Sequence, residues 1–312
     1  MRAFSAAVIA AVLALLLAPS TVAEPASCRG QFLSVDRYPG DPVPHRVFGE
    51  FCRPARMGPD TPVQLLLHGA TYDHTYWNAY ARLAAARGFA TFNLDRLGYG
   101  RSDHPDPMTL DLPAAGYVAH QVVERLRGGT FGPRFTRVVL NAHSLGGLVA
   151  YDAARYGGVT AMVISGMPAG LPNIRANAPF PPFYPAEQDP KFAGRGWATG
   201  YLTTMPGTRV ETFLYPDTYG PAVPYLEEAR KDTVPEPELL AIGTSPTPVD
   251  VPTLSVLGRH DMFYCGQTAD CTTAPAGQLV DAVIPDTGHS INMSDGAPAF
   301  YTLTFRWLAG NS

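Results

Sequence analysis

The sequence predicts an α/β fold: a mostly parallel sheet with helices on both faces. Three observations carry that prediction. Short apolar runs alternate with amphipathic stretches of about 10–15 residues, the pattern of right-handed crossover units. One run, Val138 to Leu140, turns abruptly into a helical pattern at Ser144. The alternation stops near residue 166 and resumes near residue 251, so a long insertion divides the sheet in sequence.

The chain has 312 residues, 46% hydrophobic and 16% charged, enough to bury a full core as one large domain. Its net charge is -4 and its Lys and Arg residues are dispersed, which argues against a nucleic-acid surface. Residues 1–23 carry Arg2, an apolar run from Ala6 to Leu17, and small residues at Thr21 and Ala23. The run is too short to cross about 30 Å of hydrocarbon and precedes a small-residue cleavage pattern. This segment is therefore expected to be an export signal, giving a secreted chain without stable membrane insertion.

The elements follow in order. Gly30 to Tyr38 and Arg46 to Cys52 read as antiparallel strands around a Pro39-Gly40-Asp41-Pro42 turn. Val63 to His68 is a buried strand ending in His68-Gly69-Ala70-Thr71. Thr75 to Arg87 is a helix closed by Gly88, and Phe89 to Asp95 is a strand that runs into a glycine-punctuated loop. Pro113 to Arg127 is a helix ended by Gly128-Gly129. The Ser144 strand and helix come next, then a strand from Thr160 to Ser165.

Residues 166–250 are rich in proline and aromatics, and only short helical fragments such as Tyr225 to Lys231 fit between the prolines. Such a length is too great for a simple connection and is expected to form an inserted lid. Its aromatics either line a substrate pocket or form the lid's own small core. Thr253 to Leu257 and Val280 to Ile284 complete the sheet, and Pro298 to Leu308 is a closing helix. The core is thus assigned to residues 24–165 and 251–312.

Cys28, Cys52, Cys265 and Cys271 form two sequence-local pairs, and an exported chain favours Cys28-Cys52 and Cys265-Cys271 disulfides. Loop entropy assigns these closures about 3.5 and about 2.4 kcal/mol. No C-x-x-C spacing occurs, so no metal site is expected.

Ser144 is the candidate nucleophile. It stands on a strand-to-helix turn, where small neighbours are needed and Ala142 and Gly146 supply them. The N–H of Leu145, unpaired in the first helical turn, points where negative charge would develop on an attacked carbonyl. A second donor is expected from the N–H of Ala70 or Thr71, at the end of the neighbouring strand. A serine hydroxyl needs an imidazole to take its proton and a carboxylate to orient the imidazole. His289 and Asp261 follow the last strands and give the order Ser, Asp, His, with Asp286 and Asp250 as alternatives for the acid. His143 is expected to point away from the serine.

The ordered motifs His68-Gly69, Asp95 to Ser102, Ala142-His143-Ser144-Leu145-Gly146-Gly147, Gly258-Arg259-His260-Asp261 and Gly288-His289 resemble those of the α/β-hydrolase superfamily. The resemblance covers roughly residues 60–310. It implies an eight-stranded sheet, a helical lid after strand 6, a Ser144-Asp261-His289 triad and a structural role for the Asp95 to Ser102 loop. Ala142 departs from the usual elbow glycine. Members resembling epoxide hydrolases and haloalkane dehalogenases carry aspartate at the Ser144 position. The expectation is a serine hydrolase acting on a small-molecule or lipid ester, without a cofactor. Acyl transfer, thioester, amide or lactone hydrolysis, and a non-catalytic binding protein are the alternatives. The sequence leaves the oligomeric state open.

Overall fold

The computed structural model describes residues 27–170, 182–265, 271 and 278–311. The expected export segment lies outside these residues, as does part of the insertion. In the first half of the chain the strands are β1 (Ser27–Val35), β2 (His45–Arg53), β3 (Val63–Leu67), β4 (Ala90–Leu94), β5 (Val138–His143) and β6 (Ala161–Ser165). The second half holds β7 (Ala169–Gly170), β8 (Phe183–Pro185), β9 (Tyr201–Thr204), β10 (Val234–Pro235), β11 (Thr253–Gly258), β12 (Gln278–Leu279) and β13 (Ala282–Ile284).

Eight strands form the main sheet in the order β1-β2-β4-β3-β5-β6-β11-β13. Seven of them share one direction, and only β2 runs against them. Strands β3, β4, β5 and β6 are buried along their whole length, as a sheet covered on both faces requires. Helices Leu112–Gly128 and Leu145–Ala154 pack together on one face. On the other, Tyr80 of helix Asn78–Ala86 packs on Phe300 and Phe305 of helix Ala297–Asn311. The order reverses around β3, which has β4 on one side and β5 on the other. A crevice opens at the C-terminal strand ends where such a reversal occurs, and here it places the residues after β3 beside the residues after β5.

The opening hairpin departs from expectation in its limits. β1 begins three residues earlier than Gly30, which puts Cys28 directly opposite Cys52. Both expected disulfides are present, with Cα separations of 4.0 Å and 5.1 Å. The last sheet strand is shorter than expected, Ala282–Ile284.

The insertion between β6 and β11 is not purely helical. Short helices Arg209–Phe213, Val223–Ala229 and Glu236–Leu240 accompany a three-stranded sheet in the order β10-β9-β8. The central strand, Tyr201-Leu202-Thr203-Thr204, is aromatic and β-branched and has no proline. Pro185 and Pro235 sit on the two edge strands, where a missing N–H leaves no ladder bond unmade. Strands of two to four residues are too short to show a period of two, so the prolines masked them.

Candidate active site

Ser144 ends β5 and starts the helix Leu145–Ala154 with φ 52° and ψ -125°, a conformation that is costly for a residue with a Cβ. Its N–H donates to Ser165 O at 2.8 Å, and its carbonyl accepts from Gly147 at 2.7 Å. The turn therefore stays sharp. A Cβ on Gly146 would lie 2.6 Å from the carbonyl oxygens of both Leu67 and His68, so only glycine lets the helix approach β3 this closely. Ala142, in contrast, is fully buried in the strand and its methyl is accommodated.

His289 reaches the serine from the loop after β13. Its Nε2 lies 2.9 Å from Ser144 Oγ, and its Nδ1 lies 2.8 Å from Asp261 Oδ2. A carboxylate only accepts, so Nδ1 carries the proton and Nε2 is left to accept from the hydroxyl. Asp261 is fully buried, and its other oxygen accepts from Phe263 N at 3.1 Å. The acid on His289 is thus Asp261 rather than Asp286 or Asp250. The Asp261 and His289 loops meet because residue 258 is glycine: a Cβ there would fall 2.1 Å from Gly288 O. Such a line of groups can draw a proton from Ser144 as the oxygen attacks.

Ser144 and His289 open into a narrow cavity walled by Ala70, Tyr72, Met167, Phe183, Phe213 and Phe263 among others. Phe183 and Phe213 come from the insertion, while its Trp197 and Tyr201 stack around His104 instead. The aromatics of the insertion therefore divide between the cavity wall and a contact with the main domain, which is not one of the uses expected for them. Ala70 faces the serine across this cavity, whereas Thr71 is fully buried behind it with φ 55°.

His143 is fully buried, with its ring packed beside the triad. Its ring lies 4.9 Å from that of His289, stacks on Tyr76, and sets Nδ1 3.2 Å from Ser165 Oγ. Burial, with His289 beside it, keeps its pKa well below the ordinary histidine range, so it packs as a neutral ring. The loop after β4 ties itself together: Asp95 accepts from the N–H groups of His74 and Arg101, and its carbonyl accepts from Ser102 Oγ.

Three buried ion pairs of the insertion carry no signal in the sequence, one of them Lys231 with Asp189 at 2.6 Å. Arg209 and Glu227, both in the insertion and both fully buried, meet at 2.8 Å. Arg96, after β4, pairs with Glu238 of the insertion, which also accepts from Tyr99. Charged residues in short helices ordinarily read as a solvated face, and nothing in their local spacing marks a partner far along the chain.

The profile of the Alpha/beta hydrolase family matches residues 64–301, most of the chain. The chain belongs to this family. No curated protein matches it. Among solved structures, this alpha/beta hydrolase is similar to an esterase from Thermogutta terrifontis, at 20% identity and TM-score 0.60, covering 89% of this chain and 98% of that one. It is also similar to a methylesterase from Arabidopsis, at 14% identity and TM-score 0.55, covering 80% and 99%. Epoxide hydrolase A from Mycobacterium thermoresistibile aligns at 14% identity and TM-score 0.58, covering 91% and 99%. At these identities the likeness concerns the fold, and the chemistry of this member has to be argued from its own site.

Proposed function

We propose that this alpha/beta hydrolase is a secreted serine esterase working through an acyl-enzyme. The observation that carries the proposal is His289 set between Ser144 Oγ and Asp261 at the mouth of an apolar cavity. Ser144 attacks the ester carbonyl while His289 Nε2 takes its proton, and Asp261 holds the ring and balances the imidazolium that forms. The tetrahedral oxyanion is received by the N–H of Leu145 and by that of Ala70 or Thr71. His289 then protonates the leaving alcohol, and water repeats the sequence in reverse to free Ser144.

A serine at the elbow favours this chemistry over epoxide opening. Eight apolar or aromatic residues on the cavity wall favour an uncharged acyl group, and the narrow interior suits a short one. The insertion, residues 166–250, serves as the lid. Secretion is supported by two disulfides and by the pattern of residues 1–23.

A p-nitrophenyl ester series from acetate to palmitate, run on wild type and Ser144→Ala, tests the reading. Wild type is expected to prefer acetate to hexanoate over palmitate, and Ser144→Ala to lose about 10⁶-fold in kcat. Hydrolysis at the wild-type rate by a folded Ser144→Ala would refute the serine mechanism.

A further inference from the structure

We propose that Arg209, in the insertion, is a positioning residue for the oxyanion loop: it holds Thr71 in its left-handed conformation and so fixes the donor beside Ser144. The inference rests on the serine-esterase reading above.

Thr71 is β-branched and sits at φ 55°, where a free chain would not leave it. Two restraints hold it, and both come from the insertion. Arg209 Nη1 donates to Thr71 Oγ1 at 2.7 Å, and Asp232 N donates to Thr71 O at 2.9 Å. Arg209 is itself immobilised. Its Nε and Nη2 donate to Glu227 Oε1 at 3.1 and 2.8 Å, Nη1 also reaches Thr204 Oγ1 at 3.2 Å, and the guanidinium lies over the rings of Tyr72 and Phe213.

The same cluster reaches the other side of the site. Tyr72 donates to Glu227 and therefore accepts from the hydroxyl of Ser290, the residue after His289. Ser290 N in turn donates to Phe213 O at 2.8 Å. One buried ion pair thus ties the insertion to the loop of the oxyanion donor and to the loop of the base.

Stability alone does not call for such a pair. Apolar side chains of similar size commonly fill such a space as stably, because two charges must be stripped of water to be buried. A guanidinium offers what they lack: donors in a fixed fork that set the distance between three segments. The insertion and the oxyanion loop therefore assemble together, and a loop released from Arg209 relaxes towards negative φ and carries its N–H groups away from the oxyanion.

The test is Thr71→Val, which keeps shape and removes the acceptor, compared with Thr71→Ser, which keeps the oxygen. Thr71→Val is expected to lose about 10- to 100-fold in kcat, with KM within about threefold of wild type. The Ki of a trifluoromethyl ketone, whose hemiketal oxyanion occupies the same donors, should rise by the factor by which kcat/KM falls. Thr71→Ser should keep about tenfold more activity than Thr71→Val. A purely structural role would lower the melting temperature and leave kcat of the folded fraction and the Ki unmoved, and that result overturns the proposal. Arg209→Lys, which keeps the charge and loses the fork, is the second variant should Thr71→Val not fold. It is expected to show the same parallel loss, and wild-type kcat and Ki in it also overturn the proposal. If wild type hydrolyses esters through Ser144 while these variants match it, the positioning role alone fails. If wild type shows no Ser144-dependent hydrolysis, both readings fall.

Discussion

Single residues set most of the chemistry, and those with the strongest local constraint were the ones visible in the sequence. Ser144, Asp261 and His289 stand in short glycine-marked motifs, because a sharp turn and two close loop approaches leave few residue choices around them. Thr71, by contrast, carries a left-handed backbone with no glycine to signal it, and Arg209 acts on it across 138 positions. A residue-scale consequence of burial concerns His104. Its ring stacks on Trp197 at 3.8 Å, and burial lowers its pKa to about 4. The unfolded chain therefore takes up a proton near pH 6.5 that the folded chain refuses until about pH 4. The contribution of His104 is full above pH 6.5 and is lost as the pH falls towards 4. Thermal melts from pH 7 to 4 should show this decline, on the order of 1–2 kcal/mol after allowance for solvent screening. His104→Phe, which retains a stacked ring, should make the decline shallower and leave the part due to buried His68 and His143, and an equally steep decline in that variant would assign the effect elsewhere.

Whole elements were legible where burial is complete and lengths are ordinary. β3 to β6 read directly as apolar runs between helices, because a covered parallel sheet has no polar face to disguise it. The small sheet of the insertion did not, since β8, β9 and β10 are short and proline-edged and their pairing is set by packing rather than by pattern. The two disulfides act on different elements and should separate in their effects. Cys28-Cys52 joins β1 to β2 at the edge of the sheet, away from the site. Cys265-Cys271 closes around Asp261: Cys265 N donates to Asp261 O at 2.9 Å, and Cys271 N donates to Arg259 O. Replacing the first pair by serine should lower the melting temperature by several degrees and leave kcat unchanged, in line with a cost of about 2–5 kcal/mol. Replacing the second should lower kcat about tenfold at a temperature where the fold persists. The reverse assignment of the two effects would show that the Asp261 loop needs no such closure.

At the scale of the molecule, the candidate site is placed by one reversal in strand order. Because β4 and β5 flank β3, the ends of β3 and β5 share a crevice, and the loops after β11 and β13 arrive beside it in the same direction. The fold class was readable from alternation alone. The way the insertion docks was not, because it depends on pairs such as Arg209-Glu227 and Arg96-Glu238 whose members meet only in three dimensions. The proposed function requires that this architecture arm one serine, Ser144. Its most direct test is mapping of the adduct left by a fluorophosphonate on the full chain by peptide mass spectrometry. A single, rapid phosphonyl adduct on Ser144 is expected, slowed strongly in His289→Ala. An adduct on another residue, or ester hydrolysis that persists with Ser144 fully labelled, would contradict it.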